Sequence, residues 1–339
     1  MREILPIVER WAAAGTRAAA ATVVATERSA PRGPGAVLAV SEHGDVAGSV
    51  TGGCVEPAVF EEARAVLAGG RPRLVTYGIA DEEAFEVGLA CGGTVHILVE
   101  PLDPMLVAAL GRAVRADRPV AYVTSIGGGG PGGARLVTAE EPPADELARR
   151  AQELLARGET GVVELDWGEA FVSSFAPRPD MYVFGGVDHA AALATVGRFL
   201  GYRVTICDAR ARFVTPERFP DADELVVEWP DRFLERAPVD ERTAICVLTH
   251  DHKFDVPALK IALESPAGYI GAMGSRKTSA DRAERLRAEG ITDEQLARIH
   301  APIGLSLGAQ TPAEVAIAIA AELVKSMRDR SLLAKARAA

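Results

Sequence analysis

Several short stretches of this chain set chemically capable side chains among glycines, where a backbone can come close to a ligand. Gly48-Ser49-Val50-Thr51-Gly52-Gly53-Cys54-Val55-Glu56 and Gly88-Leu89-Ala90-Cys91-Gly92-Gly93 each carry a cysteine. The first ends a strand and opens a helix, and a thiol at a helix N-terminus is biased toward thiolate, the form that binds soft metals or enters redox chemistry. Spacing alone equally allows two small buried thiols in tight turns. Gly271-Ala272-Met273-Gly274-Ser275-Arg276-Lys277-Thr278 joins glycines, a hydroxyl and two cations to a helix start. Gly274, Ser275, Arg276 and Lys277 are the best anion-site candidates, although a capped, solvated helix start would use the same residues.

Phe184-Gly185-Gly186-Val187-Asp188-His189-Ala190 follows an apolar strand and opens a helix, the arrangement that offers amide N–H groups to a phosphate. Gly185, Gly186 and His189 are candidates there, and Asp208 ends the next strand, where dinucleotide folds place an acid on a ribose hydroxyl. The fingerprint is incomplete, because its second glycine position falls on Val187. A dinucleotide site that has decayed, a different phosphate ligand and NAD(P) itself all remain open. In Thr249-His250-Asp251-His252-Lys253, the H-x-H spacing could serve a metal, but no third ligand is evident nearby, so the identity of any metal stays unknown. His250 and Asp251 are read as ligand-bonding or loop-fixing residues. Thr311-Pro312-Ala313-Glu314 is a capping box and needs no further role.

These motifs need a scaffold. The pattern predicts an N-terminal α+β domain over residues 1–176 and a Rossmann-like domain over 177–328, with 329–339 as a fraying tail. In the first domain, helices are expected over Arg2–Ala14, Glu56–Ala68, Asp103–Ala116 and Ala144–Arg157, among strands that include a hairpin around His43-Gly44-Asp45. The Gly127–Gly133 loop reads as flexible. Ala176-Pro177-Arg178-Pro179-Asp180 reads as a linker. Beyond it, short, nearly all-apolar strands (Met181–Phe184, Val204–Cys207, Leu225–Val227, Ala244–Thr249, Tyr269–Ala272) alternate with helices, the mark of a parallel sheet covered on both faces. The helices are expected at Ala190–Leu200, Val256–Leu263, Ser279–Glu289 and Ala313–Met327. Cys207 and Cys246 fall inside strands as core residues.

A chain of 339 residues exceeds one ordinary hydrophobic core. The formal charge of -10 argues against a nucleic-acid partner, which calls for clustered Lys and Arg. No secretory signal or membrane-length apolar run is visible, and four cysteines without CxxC spacing fit reduced thiols in the cytoplasm.

Taken together, the motifs resemble the XdhC/CoxI family of molybdenum-hydroxylase accessory proteins. The resemblance rests on Ser29-Ala30-Pro31-Arg32 with Gly35, the Gly48–Glu56 loop and Gly88-Leu89-x-Cys91-Gly92-Gly93. It continues through Asp208 with Arg210, Leu248-Thr249-His250-Asp251, Gly271–Arg276, and Ile303-Gly304-Leu305 to Thr311-Pro312-x-Glu314. It implies a non-enzymatic chaperone with no catalytic residues, often a dimer. Such a protein binds molybdenum cofactor (molybdopterin) and delivers it to an apo-hydroxylase of the xanthine- or carbon-monoxide-dehydrogenase type. Cofactor-biosynthesis or sulfuration proteins are further partners. On that reading Gly52, Gly53, Cys54, Glu56, Cys91 and Gly92 contact the cofactor, and strand ends of the second domain are expected to converge with these thiol turns around it. The competing function is an NAD(P)-dependent oxidoreductase, for which no Tyr-x-x-x-Lys or comparable proton-transfer set can be placed.

Overall fold

The computed structural model describes residues 1–78, 93–126 and 133–338, with side chains through residue 329. The Gly88–Gly92 stretch with Cys91, and the glycine loop at 127–132, lie outside the described residues. Two compact units divide the chain, Met1–Pro177 and Arg178–Ala339.

The first unit is built around β1 (Ala18–Glu27), the middle strand of a five-stranded antiparallel sheet ordered β3-β2-β1-β5-β4. Its companions are β2 (Val37–Ser41), β3 (Val46–Gly48), β4 (Arg73–Tyr77) and β5 (Thr94–Pro101). β1 reads as an unbroken apolar run because both of its faces are covered. Ala19, Ala21 and Val23 pack under α2 (Glu56–Gly69), while Ala20 meets α1 (Leu5–Ala13) and α3 (Pro104–Arg115) on the other side. A second, four-stranded antiparallel sheet is ordered β7-β6-β9-β8, from β6 (Val120–Ile126), β7 (Ala134–Thr138), β8 (Gly161–Leu165) and β9 (Gly168–Phe175). α4 (Glu146–Arg157), capped by Asp145 and stopped by left-handed Gly158, lays Leu147, Ala151 and Leu155 on one face of it. A register shift between Val23 and Ala25 in the β1–β5 ladder marks a bulge. Val24, at that bulge, packs with Leu98, Ile126 and Phe171, joining the two sheets.

The second unit is a six-stranded, wholly parallel sheet. Its strands are β10 (Asp180–Phe184), β11 (Arg203–Cys207), β12 (Glu224–Val226), β13 (Ala244–Val247), β14 (Tyr269–Ala272) and β15 (Ile299–His300). The order β12-β11-β10-β13-β14-β15 is that of a doubly wound dinucleotide-type sheet, with its switch point between β10 and β13. Met181, Val183, Val204 and Cys246 face α5 (Asp188–Phe199) together with the apolar residues Ala316, Ile319 and Leu323. Alternate residues Tyr182, Phe184, Ile245 and Val247 face Phe233 and Leu234 of α6 (Pro230–Arg236) and Leu259 of α7 (His252–Glu264). Leu286 of α8 (Arg276–Ala288) completes that face. A single turn, α9 (Asp293–Leu296), and the long α10 (Pro312–Ala338), which carries Ala316, Ile319 and Leu323, finish the unit. The expected α+β region and parallel-sheet domain are both present.

Several boundaries differ from expectation. α7 and α8 begin at His252 and Arg276 rather than at Val256 and Ser279, because Asp251 and Ser275 cap them with side-chain oxygens. α10 continues to Ala338 through the segment expected to fray, where Ala, Leu, Lys and Arg favour helix. Cys207 and Cys246 are core residues as expected, and burial pushes both thiols up to about 12.

Glu100 on β5 is buried and accepts a 2.7 Å hydrogen bond from Thr124 Oγ1 on β6. Burial, opposed by that bond, pushes its carboxyl up to about 7 from an ordinary 4.5. The folded protein therefore holds this proton more tightly than the unfolded chain. The stability so gained is complete below pH 4.5 and is lost as pH rises through about 7. Glu100→Gln is expected to remove this loss, about 3 kcal/mol between pH 4.5 and 8. Urea unfolding of both proteins at several pH values checks it: parallel pH profiles would disprove the account.

Candidate functional site

The cysteine loop of the first unit runs from the end of β3 to the start of α2, pinned at each end by the fully buried Val50 and Val55. Glu56, the first residue of α2, turns its carboxylate back into this loop. Oε1 accepts from Ser49 Oγ (2.7 Å) and from the amides of Val50 (3.2 Å), Thr51 (2.9 Å) and Gly52 (2.8 Å). Oε2 accepts from Thr51 Oγ1 (2.8 Å) and from the amides of Gly53 (2.8 Å) and Val55 (3.3 Å). Partial burial works to raise the pKa of Glu56, but the two hydroxyls and the loop amides outweigh it and hold the carboxyl far below the usual range. Both oxygens are thus engaged by the chain's own donors.

Gly52 and Gly53 take left-handed φ values of +92° and +129°, and a Cβ at either would meet nothing within 4 Å. They are glycines for backbone conformation, since nothing of the protein crowds them. Cys54 stands beside them as an exposed free thiol, so the plainer expectation of a buried thiol in a tight turn does not describe it. Of the second cysteine loop, Gly93 is described: a Cβ there would stand 2.1 Å from the Ser29 carbonyl oxygen, which brings Ser29 against the end of that stretch.

In the second unit, the carboxyl ends of β10, β11, β13 and β14 carry most of the other candidates. The glycine turn is closed over by its own chain. Asp208, which is buried, accepts the Gly186 amide at 2.8 Å on Oδ2. Arg210 reaches the same carboxylate through its amide and Nε on Oδ1 and through Nη2 on Oδ2, at 2.8–2.9 Å. Burial alone would raise the Asp208 pKa; Arg210 and the Gly186 amide prevail and lower it. Arg218 Nη1 donates to the carbonyls of Gly186 and Phe213, both at 3.0 Å, and its Nη2 reaches Asp188 at 3.2 Å. A Cβ on Gly186 would lie 2.7 Å from the Phe213 carbonyl oxygen. The close approach that this glycine permits is to Phe213. His189 sits half-buried in the first turn of α5.

The loops after β13 and β14 are joined from below. Thr249 Oγ1 donates to Asp255 Oδ1, and Asp255 Oδ2 accepts from Arg282 Nη2 at 2.9 Å. The same nitrogen donates to the Met273 carbonyl at 2.7 Å. Arg282 and Asp255 are 2% and 1% exposed, which makes them a fully buried pair under both loops. Above them His250 is exposed, Asp251 caps α7 and pairs with Lys253 at 3.1 Å, and Arg276 and Lys277 stand exposed in the first turn of α8. Gly274 has φ +150° and leads into Ser275, the cap of α8. Among the described residues no cluster of three or more His, Cys, Asp or Glu could hold a metal ion, so the H-x-H spacing gathers no metal set there.

Asp255, Arg282, Phe213 and Arg218 were not singled out from sequence. Arg282 lies in a helix dense with charge, and nothing local separates it from the exposed Arg285 or Arg287. Glu56 had a usable signal, an acid at the first helical position behind two glycines, but the signal does not say whether the acid serves a ligand or its own loop.

Two family models match this chain: the XdhC and CoxI family over residues 11–78, and the XdhC Rossmann domain over residues 181–323. The chain belongs to the XdhC and CoxI family. Full-length relatives of this XdhC-type chain agree. A probable xanthine dehydrogenase subunit of Bacillus subtilis (strain 168) is 24% identical over 91% of this chain and 92% of its own. The molybdenum cofactor insertion chaperone PaoD of Escherichia coli (strain K12) is 28% identical over 95% of this chain and 87% of its own. A crystal structure of a xanthine dehydrogenase from Bacillus halodurans shares the fold, with TM-score 0.68, 24% identity and 96% coverage of both chains. The XdhC model at 11–78 contains the whole Glu56-centred loop, and the XdhC Rossmann match contains the Asp255–Arg282 pair.

Removing one partner of a buried ion pair strands the other. Arg282→Met is expected to cost about 3–5 kcal/mol, whereas Arg285→Met, at an exposed position of the same helix, should change stability by roughly 0.5 kcal/mol or less. Equal costs in chemical denaturation would show that the buried pair does not hold these loops.

Proposed function

We propose that this chain is an accessory protein that binds molybdenum cofactor and inserts it into a molybdenum hydroxylase of the xanthine- or carbon-monoxide-dehydrogenase type. The observation that carries the reading is the exposed Cys54 thiol on a glycine loop held in one conformation by a carboxylate. A soft sulfur donor suits molybdenum, and its exposure suits a cargo that must be released. In the second unit, taken by itself, the first turn of α8, with Gly274, Ser275, Arg276 and Lys277, supplies amides and cations suited to a phosphate. Gly52, Gly53, Cys91 and Gly92 are the further proposed contacts of the first unit, and His250 and Asp251 those of the second. The similarity to PaoD supports the same reading. An apo-hydroxylase is the proposed recipient, cofactor-biosynthesis or sulfuration proteins the proposed suppliers, and a homodimer the proposed assembly. Among the described residues no helix is long and apolar enough to cross a membrane. Among the described residues the three cysteines are free, which suits a reducing compartment, for which the cytoplasm is proposed.

The alternative, NAD(P)-dependent hydride transfer, draws on the strand order of the second unit. Against it stand Val187 at the second glycine position and an Asp208 carboxylate that is buried and paired with Arg210.

Thermal unfolding with candidate ligands separates the two. Molybdenum cofactor at 100 times its Kd is expected to add about 2.7 kcal/mol to stability, and NAD(H) and NADP(H) to add nothing measurable. The combined Cys54→Ala and Cys91→Ala protein should bind cofactor about tenfold more weakly, equivalent to ~1.4 kcal/mol. Stabilisation by NADP(H) accompanied by hydride transfer would reverse the assignment; full affinity in the double variant would remove the thiols from it.

A further inference from the structure

We propose that Glu56 is the positioning residue of the cofactor-receiving loop: it touches no cofactor, and its two carboxylate oxygens fix the backbone that presents Cys54. The inference rests on the reading of this loop as a cofactor contact and assigns the residue on which its shape depends.

Between Val50 and Val55, both fully buried, the chain loops outward through Gly52, Gly53 and Cys54, all exposed. The left-handed angles at Gly52 and Gly53 are open to glycine at no steric cost, so sterics alone do not select them, and nothing of the protein lies within 4 Å of a Cβ placed at either position. Packing therefore does not define the outer half of this turn. Hydrogen bonding does. The amides that flank Cys54, from Gly53 and Val55, both run to Oε2, while those of Val50, Thr51 and Gly52 converge on Oε1. A network of this kind, with an ionised acceptor and several donors, is stronger per bond than a neutral one.

The chemistry of the acceptor is restrictive. Seven donors face the side chain, five amides and two hydroxyls, and they divide between its two oxygens. A carboxylate is acceptor-only at both oxygens. Glutamine would turn an NH₂ group toward one set of amide donors whichever way it flipped. Aspartate is one methylene too short to reach the same centre. The position of Glu56 at the start of α2 adds the favourable field of the helix N-terminus, which a neutral side chain would not feel.

The test uses the full-length protein with three variants, Glu56→Gln, Glu56→Asp and Glu56→Ala. Amide exchange across residues 50–55 and the alkylation rate of Cys54, located by peptide mass mapping, report the loop without any cofactor. Molybdenum cofactor affinity reports function. Glu56→Gln is expected to accelerate exchange of these amides by about tenfold or more, the loss of roughly one charge-assisted bond or more per amide. It should also change the Cys54 alkylation rate and weaken cofactor binding about tenfold. Glu56→Asp should behave like Glu56→Gln, since charge without reach does not close the clamp. In Glu56→Ala, added acetate supplies the missing carboxylate and should restore both exchange protection and cofactor affinity, a rescue that a general loss of folding would not show. The inference fails if Glu56→Gln leaves exchange and alkylation unchanged, or if the loop loosens while cofactor affinity stays at the wild-type value. Failure of the reading of this loop as a cofactor contact is seen separately: Cys54→Ala would then bind with full affinity while the exchange result for Glu56→Gln still stood.

Discussion

A backbone that leaves the core and returns within a few residues must find acceptors for amides that no neighbouring strand will take. In the first unit that requirement is met by one carboxylate. Glu56 gathers the donors of the segment between Val50 and Val55, and the glycines of that segment become usable because their conformations no longer need packing to stabilise them. The exposed thiol is a consequence of this arrangement: a side chain can face solvent from a defined backbone only if something behind it is rigid. The sheet supplies the two anchoring valines, and α2 supplies the acid at its first residue.

The second unit meets the same requirement differently. Its sheet order and turn positions are those of a nucleotide-binding fold, but the polar groups at the switch point are matched to one another. Asp208 takes the Gly186 amide and Arg210, and Arg218 takes the Gly186 carbonyl. A fold retains its topology while the chemistry at its carboxyl ends is rewritten. Here those internal bonds tie the glycine turn to the loop that follows β11. The neighbouring loops after β13 and β14 stay accessible above a buried ion pair.

Much of this was legible in the amino-acid order. Strands of the second unit announced themselves as short apolar runs, since a sheet covered on both faces leaves no polar alternation. The cysteine and anion loops were visible because glycine clusters are uncommon inside regular elements. α7 and α8 start earlier than their apolar pattern indicates, because Asp251 and Ser275, residue types equally suited to ligand chemistry, serve as caps. The short β15 and the single-turn α9 have too few residues to show a period. The roles of Asp255 and Arg282 were hidden for a deeper reason: burial of a charge depends on which helix packs over it, and helix–helix neighbours are set by tertiary structure. Glu56 and Asp208 stand out in the sequence as acids, but a sequence does not show the donors that reach them.

The central strand of the first unit also limits how this protein can vary. Ala19, Ala20 and Ala21 leave at most 1% of their surface exposed, and they point alternately to opposite sides of the sheet. Any larger residue there has nowhere to go but into a helix, α2 on one side or the α1–α3 pair on the other. The thickness of this unit is therefore set by three methyl groups, and a single added branch at β1 would change the spacing on which the loop at the start of α2 is mounted.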